Sequence, residues 1–204
     1  MVVYVYAETD AESRNNLRFF LQHGVRPDDG AHYVVTVQSE DAVLATALES
    51  EVVQDNVRFL SHLNVCYDWG TFGWVVRSKI ITSAYKYFIM LNSSVRGPFL
   101  PPYMGPVTWH KLFTQRLNSD VLIVGPTVSC EGTPNRLNMS EIRQNPHVQS
   151  FVIATNRAGF KTLLQDGNVL KCWSERLDAI YHAELGASAA VLRAGYNLGC
   201  LLQR

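Results

Sequence analysis

Long apolar runs are missing from this chain: nowhere do about 18 consecutive apolar residues occur, the length that a membrane-spanning helix requires. Charge of one sign is missing too. Eighteen Lys and Arg balance eighteen Asp and Glu. With no basic cluster, duplex nucleic acid is excluded as an expected partner, because its binding rests on many cation–phosphate contacts. The familiar phosphate cradles GxGxxG and GxxxxGK[ST] do not occur, which argues against a dinucleotide dehydrogenase or a P-loop nucleotidase. A GxSxG elbow is absent, so an α/β-hydrolase is not expected. Cysteine is sparse: Cys66, Cys130, Cys172 and Cys200 stand far apart with no CxxC pair. That spacing predicts free, mostly buried thiols in a reducing compartment rather than a disulfide framework or a zinc site. Met1 runs directly into Val2–Tyr6, too short for a secretory core and without a basic flank. The expected location is therefore cytoplasmic.

What is present is enough apolar material for one ordinary core. With 204 residues, 47% of them hydrophobic, a single domain spanning residues 1–204 buries roughly 70% of the surface of its unfolded chain. Short runs rich in Val, Ile, Tyr and Phe predict strands at Val2–Tyr6, Tyr33–Val37, Val57–Leu60, Tyr87–Leu91, Val121–Val124 and Ser150–Ala154. Helical patterns fall between them. Thr9–Asp10–Ala11–Glu12 matches a capping box ahead of an apolar stripe of Leu17, Phe20 and Leu21, with Gly24 at the C-cap. Ser39–Glu40–Asp41 opens a second helix to about Ser50. Further helices are expected at about Gly70–Ile81, Trp109–Leu117 and Gly159–Gln165, with one or two between Trp173 and Gly195. Alternating strands and helices predict an α/β fold, a mainly parallel sheet covered on both faces.

Ligands of such sheets bind outside the carboxyl ends of the strands. The wholly apolar run Tyr87–Leu91 stops at Asn92–Ser93–Ser94, which makes Asn92 the first candidate. The third strand is followed by Asn64–Val65–Cys66–Tyr67–Asp68–Trp69–Gly70–Thr71–Phe72–Gly73–Trp74. Its aromatics and isolated polar groups suit a ring-shaped ligand. Composition favours the alternative, in which Trp69, Phe72 and Trp74 are core and Asp68 is an N-cap. A polar loop holding Glu131 follows the fifth strand. His147 and Gln149 alternate about Val148 and so share a face. A lone histidine is more often structural than catalytic. Glu184 either caps a small-residue helix or reaches into the cleft.

Four segments taken together carry a resemblance: Asn64–x–x–Tyr67–Asp68–Trp69–Gly70, Tyr87–Pro98, Pro146–Phe151 and Glu184–Leu185–Gly186–x–Ser188. In order and spacing they are similar to the successive blocks of the rhamnan-synthesis F-like glycosyltransferases, most closely algal and algal-virus forms, over roughly Val3 to Leu202. The resemblance implies a GT-A-type fold, a nucleotide-diphosphate sugar donor and transfer of rhamnose or another hexose to a glycan acceptor. Tyr6, Glu8, Thr9, Asn64 and Asp68 would then hold the nucleotide. Asn92, Ser93, Ser94 and Arg96 would lie near the diphosphate, with Gln149 completing the donor site.

One departure stands out. GT-A enzymes usually place an Asp-x-Asp at the end of the central strand to hold a divalent cation, whereas this chain has Asn92–Ser93–Ser94. Asn92 and Ser94 can coordinate Mn²⁺ or Mg²⁺, but neutral ligands leave the cation held mainly by the donor diphosphate. Arg96 either substitutes as the cation or only holds its loop. An inverting transfer also needs a general base, for which Asp68, Glu131, His147 and Glu184 are the candidates. A domain that keeps the fold and serves only to bind is the competing reading.

Overall fold

The structure, a computed structural model, describes all of the chain except residues 53, 79–83, 105–106, 131, 136–137 and 203–204, and gives no side-chain detail at 42, 132–135 and 138–144. Seven strands form one sheet: β1 (Val2–Ala7), β2 (Tyr33–Gln38), β3 (Val57–His62), β4 (Tyr87–Asn92), β5 (Val121–Gly125), β10 (Val152–Asn156) and β11 (Asn197–Cys200). Their spatial order is β11-β5-β10-β4-β1-β2-β3. All pairings are parallel except those of β10, which runs antiparallel to β4 and β5. The chain leaves β5 at the carboxyl edge, passes through β6 (Val128–Ser129), a β7–β8 hairpin (Gly132–Asn135, Asn138–Gln144) and β9 (His147–Val148), and re-enters from that same edge. A strand entering where its neighbour left must be antiparallel. The six strands expected from the sequence are present. β11 and the short strands β6 to β9 were not expected, being too brief or too polar for a period-2 signal.

The apolar runs are buried on both faces, as a parallel sheet requires. Val2, Tyr4 and Tyr6 face a layer made of α1 (Ala11–His23), α2 (Ala42–Glu49) and α4 (Trp109–Thr114). Val3 and Val5 face α3 (Asp68–Arg77), α5 (Arg157–Asp166) and α7 (Leu185–Arg193). Leu17 and Phe20 of the expected α1 stripe are fully buried, each stabilising by about 1.5–3 kcal/mol. The capping box of α1 sits one residue later than expected. Asp10, not Thr9, is the N-cap: its carboxylate accepts from the Ser13 backbone N–H at 2.8 Å, and the Ser13 side chain returns to Asp10. Gly24 is the C-cap, where a Cβ would press into the Phe20 ring.

The segment before Gly70 holds the main surprise. Cys66 and Cys172 form a disulfide, their Cα atoms 4.9 Å apart across 106 residues of sequence. The expectation of four free thiols is thus corrected, and only Cys130 and Cys200 are free. No helix among the described residues is long and apolar enough to cross a membrane. The disulfide is reached because residues 168–172 run directly along α3. A Cβ on Gly73 would overlap the Leu170 carbonyl, and one on Gly70 would lie 2.9 Å from the Cys172 Cα and the Cys66 Cβ. Arg77 fastens the same segment through the Leu170 carbonyl at 3.0 Å. The two glycines of the aromatic loop are therefore contact glycines. Trp69 and Phe72 are core residues, as composition favoured, and the half-buried Trp74 packs against the same core.

Two stability outcomes follow from this packing. Gly73→Ala, which forces backbone apart, is expected to lower unfolding free energy by about 3 kcal/mol. Reducing the Cys66–Cys172 bridge, or substituting Cys172→Ser, is expected to cost about 2–4 kcal/mol. Denaturant unfolding with and without a reducing agent measures both.

Candidate functional site

At the carboxyl end of β4, Asn92 is the hub of a small network. Its side-chain amide donates to the Asp68 carboxylate at 2.5 Å. Its carbonyl oxygen accepts from the Ser94 backbone N–H at 3.1 Å and the Ser94 hydroxyl at 2.5 Å. Ser93 faces the other way and is buried. Its hydroxyl meets Ala7 at the end of β1, and its carbonyl accepts from the Asn16 amide at 2.9 Å. Asp68 is the first residue of α3, and the N-cap is Tyr67. The expected cap role therefore fails, and the carboxylate is left for Asn92.

A second group converges on the first from the α7 side. Val148 fits against the sheet because Gly125 has no side chain to displace it. Its backbone N–H is held by the fully buried Ser188 at 3.0 Å. His147, next in the chain, pairs across β6 with Ser129 and bonds the Asn145 carbonyl through Nδ1 at 2.7 Å. Glu184 ends a π-helical turn, Ala179–Glu184, and makes no cap bond to α7. Its carboxylate bonds the Ser150 side chain and lies within electrostatic reach of Asp68, His147 and Arg176. Asp68, Asn92, Ser94, His147 and Glu184 thus occupy one neighbourhood at one rim of the sheet.

Both carboxylates hold their protons above the usual range. Burial is the main cause for Asp68, opposed by the Asn92 amide. Burial also leads for Glu184, followed by Ser150, which favours the charged form, and then by the Asp68 charge, which disfavours it. A buried carboxyl raised further by a neighbouring carboxylate, as Glu184 is by Asp68, is a recurrent acid–base arrangement.

Other candidates lie elsewhere or are already engaged. Arg96 is exposed, its guanidinium 5.0 Å over the Phe19 ring and 4.0 Å from Glu12. The structure thus turns it toward α1 and away from Asn92. Gln149 is exposed and accepts from the Thr127 hydroxyl at 2.7 Å, which fastens β9 to the loop after β5. Tyr6 is fully buried at the end of β1. Glu8 pairs with Arg14 at 3.0 Å, Thr9 is exposed beside it, and Asn64 is exposed on the loop before α3. Glu131 lies outside the described residues. Sequence reasoning missed Arg14, which stands beside both Tyr6 and Glu8. A cation in the first turn of a helix opposes the dipole, and that was the available signal. Ser150 was missed as well, since an isolated serine carries none.

Asn92 and Ser94 satisfy each other, so their expected role as direct ligands is not the one the geometry favours. Among the described residues no group of three or more His, Cys, Asp or Glu is arranged to hold a metal. Asp68 is a single hard carboxylate oxygen donor, which fits a Mn²⁺ or Mg²⁺ ion that takes most of its ligands from phosphates and water.

The sequence matches no protein-family model and no curated protein. Solved structures do resemble it. Mouse xyloside xylosyltransferase 1 in its apo form matches with a TM-score of 0.52 and 10% identity over 99% of this chain and 84% of that one. A mannosyltransferase from Pyrobaculum calidifontis, in complex with GDP-Man and Mn²⁺, matches with a TM-score of 0.58 and 10% identity over 98% of this chain and 54% of that one. This fold is GT-A-like. The same architecture also serves a cytidylyltransferase from Leptospira borgpetersenii, TM-score 0.52 and 10% identity, over 98% of this chain and 74% of that one. At such identity the likeness concerns the GT-A-like fold alone.

Because Glu184 is more easily protonated folded than unfolded, the folded chain binds more protons than the unfolded one. Its contribution to stability is therefore full below the ordinary carboxylate pKa and lost as pH rises through the raised value. Glu184→Gln is expected to raise the melting temperature at neutral pH by about 2 °C and to leave it unchanged near pH 3. Thermal denaturation across pH checks this.

Proposed function

We propose that the chain is a nucleotide-sugar-dependent glycosyltransferase of the rhamnan-synthesis F-like family, transferring rhamnose or another hexose from a nucleotide-diphosphate donor to a glycan hydroxyl. The observation that carries the reading is the meeting of Asp68, Asn92, His147 and Glu184 at the carboxyl rim of a GT-A-like sheet. The mannosyltransferase neighbour binds GDP-Man with Mn²⁺, which supports a donor of this class here.

The nucleotide lies across the ends of β1 and β3, against Glu8, Thr9 and Asn64, with Arg14 as a cation at the β1 exit, and the fully buried Tyr6 supports the strand end from within the core instead of touching the ligand. Ser94, exposed beside Asn92, brings its hydroxyl to the diphosphate, whereas Ser93, buried with its hydroxyl on Ala7 and its N–H on the Val5 carbonyl, secures the loop instead of touching the donor. A divalent ion, when bound with the donor, neutralises charge on the leaving diphosphate. Asp68, oriented by Asn92, is the carboxylate that would hold such an ion. Glu184 is the general base: its raised pKa brings it toward working pH, where proton acceptance is most effective. Ser150 and His147 favour its charged form and so limit that rise. Gln149 and Thr127 shape the sugar side of the cleft.

A specific observation favours a second reading, a domain that binds the donor without turning it over: Asn92 and Ser94 spend their oxygens on each other. The discriminating experiment offers UDP-, dTDP- and GDP-sugars with Mn²⁺ and glycan acceptors, and measures released nucleoside diphosphate and pyrophosphate separately. Nucleoside diphosphate is the expected product. Glu184→Gln is expected to lower kcat by roughly 10²–10⁴-fold with donor affinity retained, and the rate should fall as pH drops through the raised Glu184 pKa. Donor binding without turnover would establish the binding module, and pyrophosphate release would establish nucleotidyl transfer instead.

A further inference from the structure

The disulfide joins two segments that each carry a carboxylate of the candidate site. Cys66 precedes Asp68 in a loop whose neighbours Leu63, Asn64, Val65 and Tyr67 are exposed, while Cys66 itself is buried. Cys172 opens the other segment and is exposed. Trp173, the next residue, fixes its Nε1 on the Asn168 carbonyl at 2.9 Å and stacks on His182, the ring centroids 4.5 Å apart and the planes 19° from parallel. His182 belongs to the π-helical turn that ends in Glu184. The bridge is therefore the covalent link between the Asp68 loop and the turn that presents Glu184.

The helix and the loop ahead of it are held unequally when the bridge is left out of account. The body of α3 keeps its own grip through the close approach of Gly70 and Gly73 to residues 170–172, the Arg77 bond to the Leu170 carbonyl and the Gln38 bond to the Thr71 hydroxyl. The loop has much less. Tyr67, the N-cap, makes no side-chain cap bond. The bond from the Val65 N–H to the Leu63 carbonyl at 2.9 Å is internal to the loop, and the Cys66 carbonyl, which accepts from Gln38 and Thr71, is its tie to the body of the fold. Exposed segments with few packed contacts open at a small fraction of the global unfolding free energy. Opening the bridge thus frees the loop and leaves the helix docked.

We propose that the Cys66–Cys172 bridge is a redox control on the candidate site: closed, it holds the Asp68 loop against the segment that leads to Glu184, and opened by a dithiol reductant it releases that loop and weakens binding of the donor nucleotide. A thiolate of the reductant bonds to the exposed Cys172 sulfur, and Cys66 leaves as a thiolate and is protonated. The reductant's second thiol then attacks its own sulfur in the mixed disulfide, and Cys172 leaves and is protonated. The protein disulfide gains two electrons and two protons, both from the reductant, which becomes its cyclic disulfide. The site thereby follows the thiol poise of its surroundings. The effect on donor binding rests on the glycosyl-transfer reading; the release of the loop does not.

The test compares the oxidised chain, the chain reduced with dithiothreitol, and Cys172→Ser, well below the melting temperature of the oxidised form. Near-ultraviolet circular dichroism is expected to stay that of the folded chain in all three. The amides of Val65 and Thr71, hydrogen-bonded in the loop and the first turn of α3, are expected to exchange at least about tenfold faster on reduction and in Cys172→Ser, while those of β1 and β2 keep their rates. By calorimetric titration, UDP or GDP with Mn²⁺ is expected to bind about fivefold more weakly to the reduced chain, as when the competent loop is populated in about a fifth of molecules. Reoxidation with glutathione disulfide should restore that affinity, and Cys172→Ser should bind weakly with or without reductant. Loss of the near-ultraviolet signal, faster exchange throughout β1 and β2, or unchanged exchange at Val65 and Thr71 would each overturn the control. Equal nucleotide affinity in both states, the loop being released, would overturn it too. Absence of nucleotide binding in either state, with the local release intact, would count against glycosyl transfer and not against release of the loop by the bridge.

Discussion

The hydrogen bond from the Asn92 amide to the Asp68 carboxylate joins the end of the central strand to the start of α3, and the rim of the molecule is organised around it. An unpaired carboxylate at that depth would be strongly penalised. The amide offsets part of that cost, and burial still leaves the Asp68 carboxyl holding its proton above the usual range. Asn92 is itself fixed through its backbone to Phe151 and Val95, so the partner of Asp68 is held from both sides along the chain.

That bond depends in turn on α3 standing where it does. The helix is gripped from behind by residues 168–172, which come close only because Gly70 and Gly73 have no side chains. The Cys66–Cys172 bridge then fixes the loop preceding Asp68 to that strap. Gln38, buried at the end of β2, donates to the Cys66 carbonyl and to the Thr71 hydroxyl at 2.7 Å, so the first turn of α3 is held from the sheet as well. A carboxylate of perturbed pKa thus rests on elements that cannot readily relax, which is what keeps its proton affinity shifted.

Charge is distributed unusually for a site that would handle a diphosphate. The central strand ends in neutral Asn92 and Ser94, and its nearest guanidinium in sequence, Arg96, is occupied by Phe19 and Glu12. Among the described residues, the guanidinium groups at the rim are those of Arg14, beside Tyr6 and Glu8, and of Arg176, within electrostatic reach of Glu184. Asp68, by contrast, stands close enough to Glu184 to raise its proton affinity further. In the glycosyl transfer proposed for it, the protein's own contribution would be weighted toward proton transfer and positioning rather than toward leaving-group charge.

Much of the scaffold was legible in the chain because apolar runs report burial directly: the Val-rich β1 and β2 and the abrupt stop of β4 at Asn92 mark strands and a rim whatever the rest does. The cap of α1 was legible to within a residue, since Ser, Thr and Asp caps compete locally. Other features depend on partners remote in sequence. The reversal of β10 follows from where the chain re-enters the sheet, and β11 is a strand only because β5 offers an edge. The Cys66–Cys172 bridge spans 106 residues, a separation over which spacing carries no signal. Asp68, His147 and Glu184 were nameable from sequence as polar residues at element ends. Their meeting with Ser150, the withdrawal of Arg96 and the shifted proton affinities belong to tertiary structure, because dielectric surroundings and charge neighbours exist only once the chain is folded.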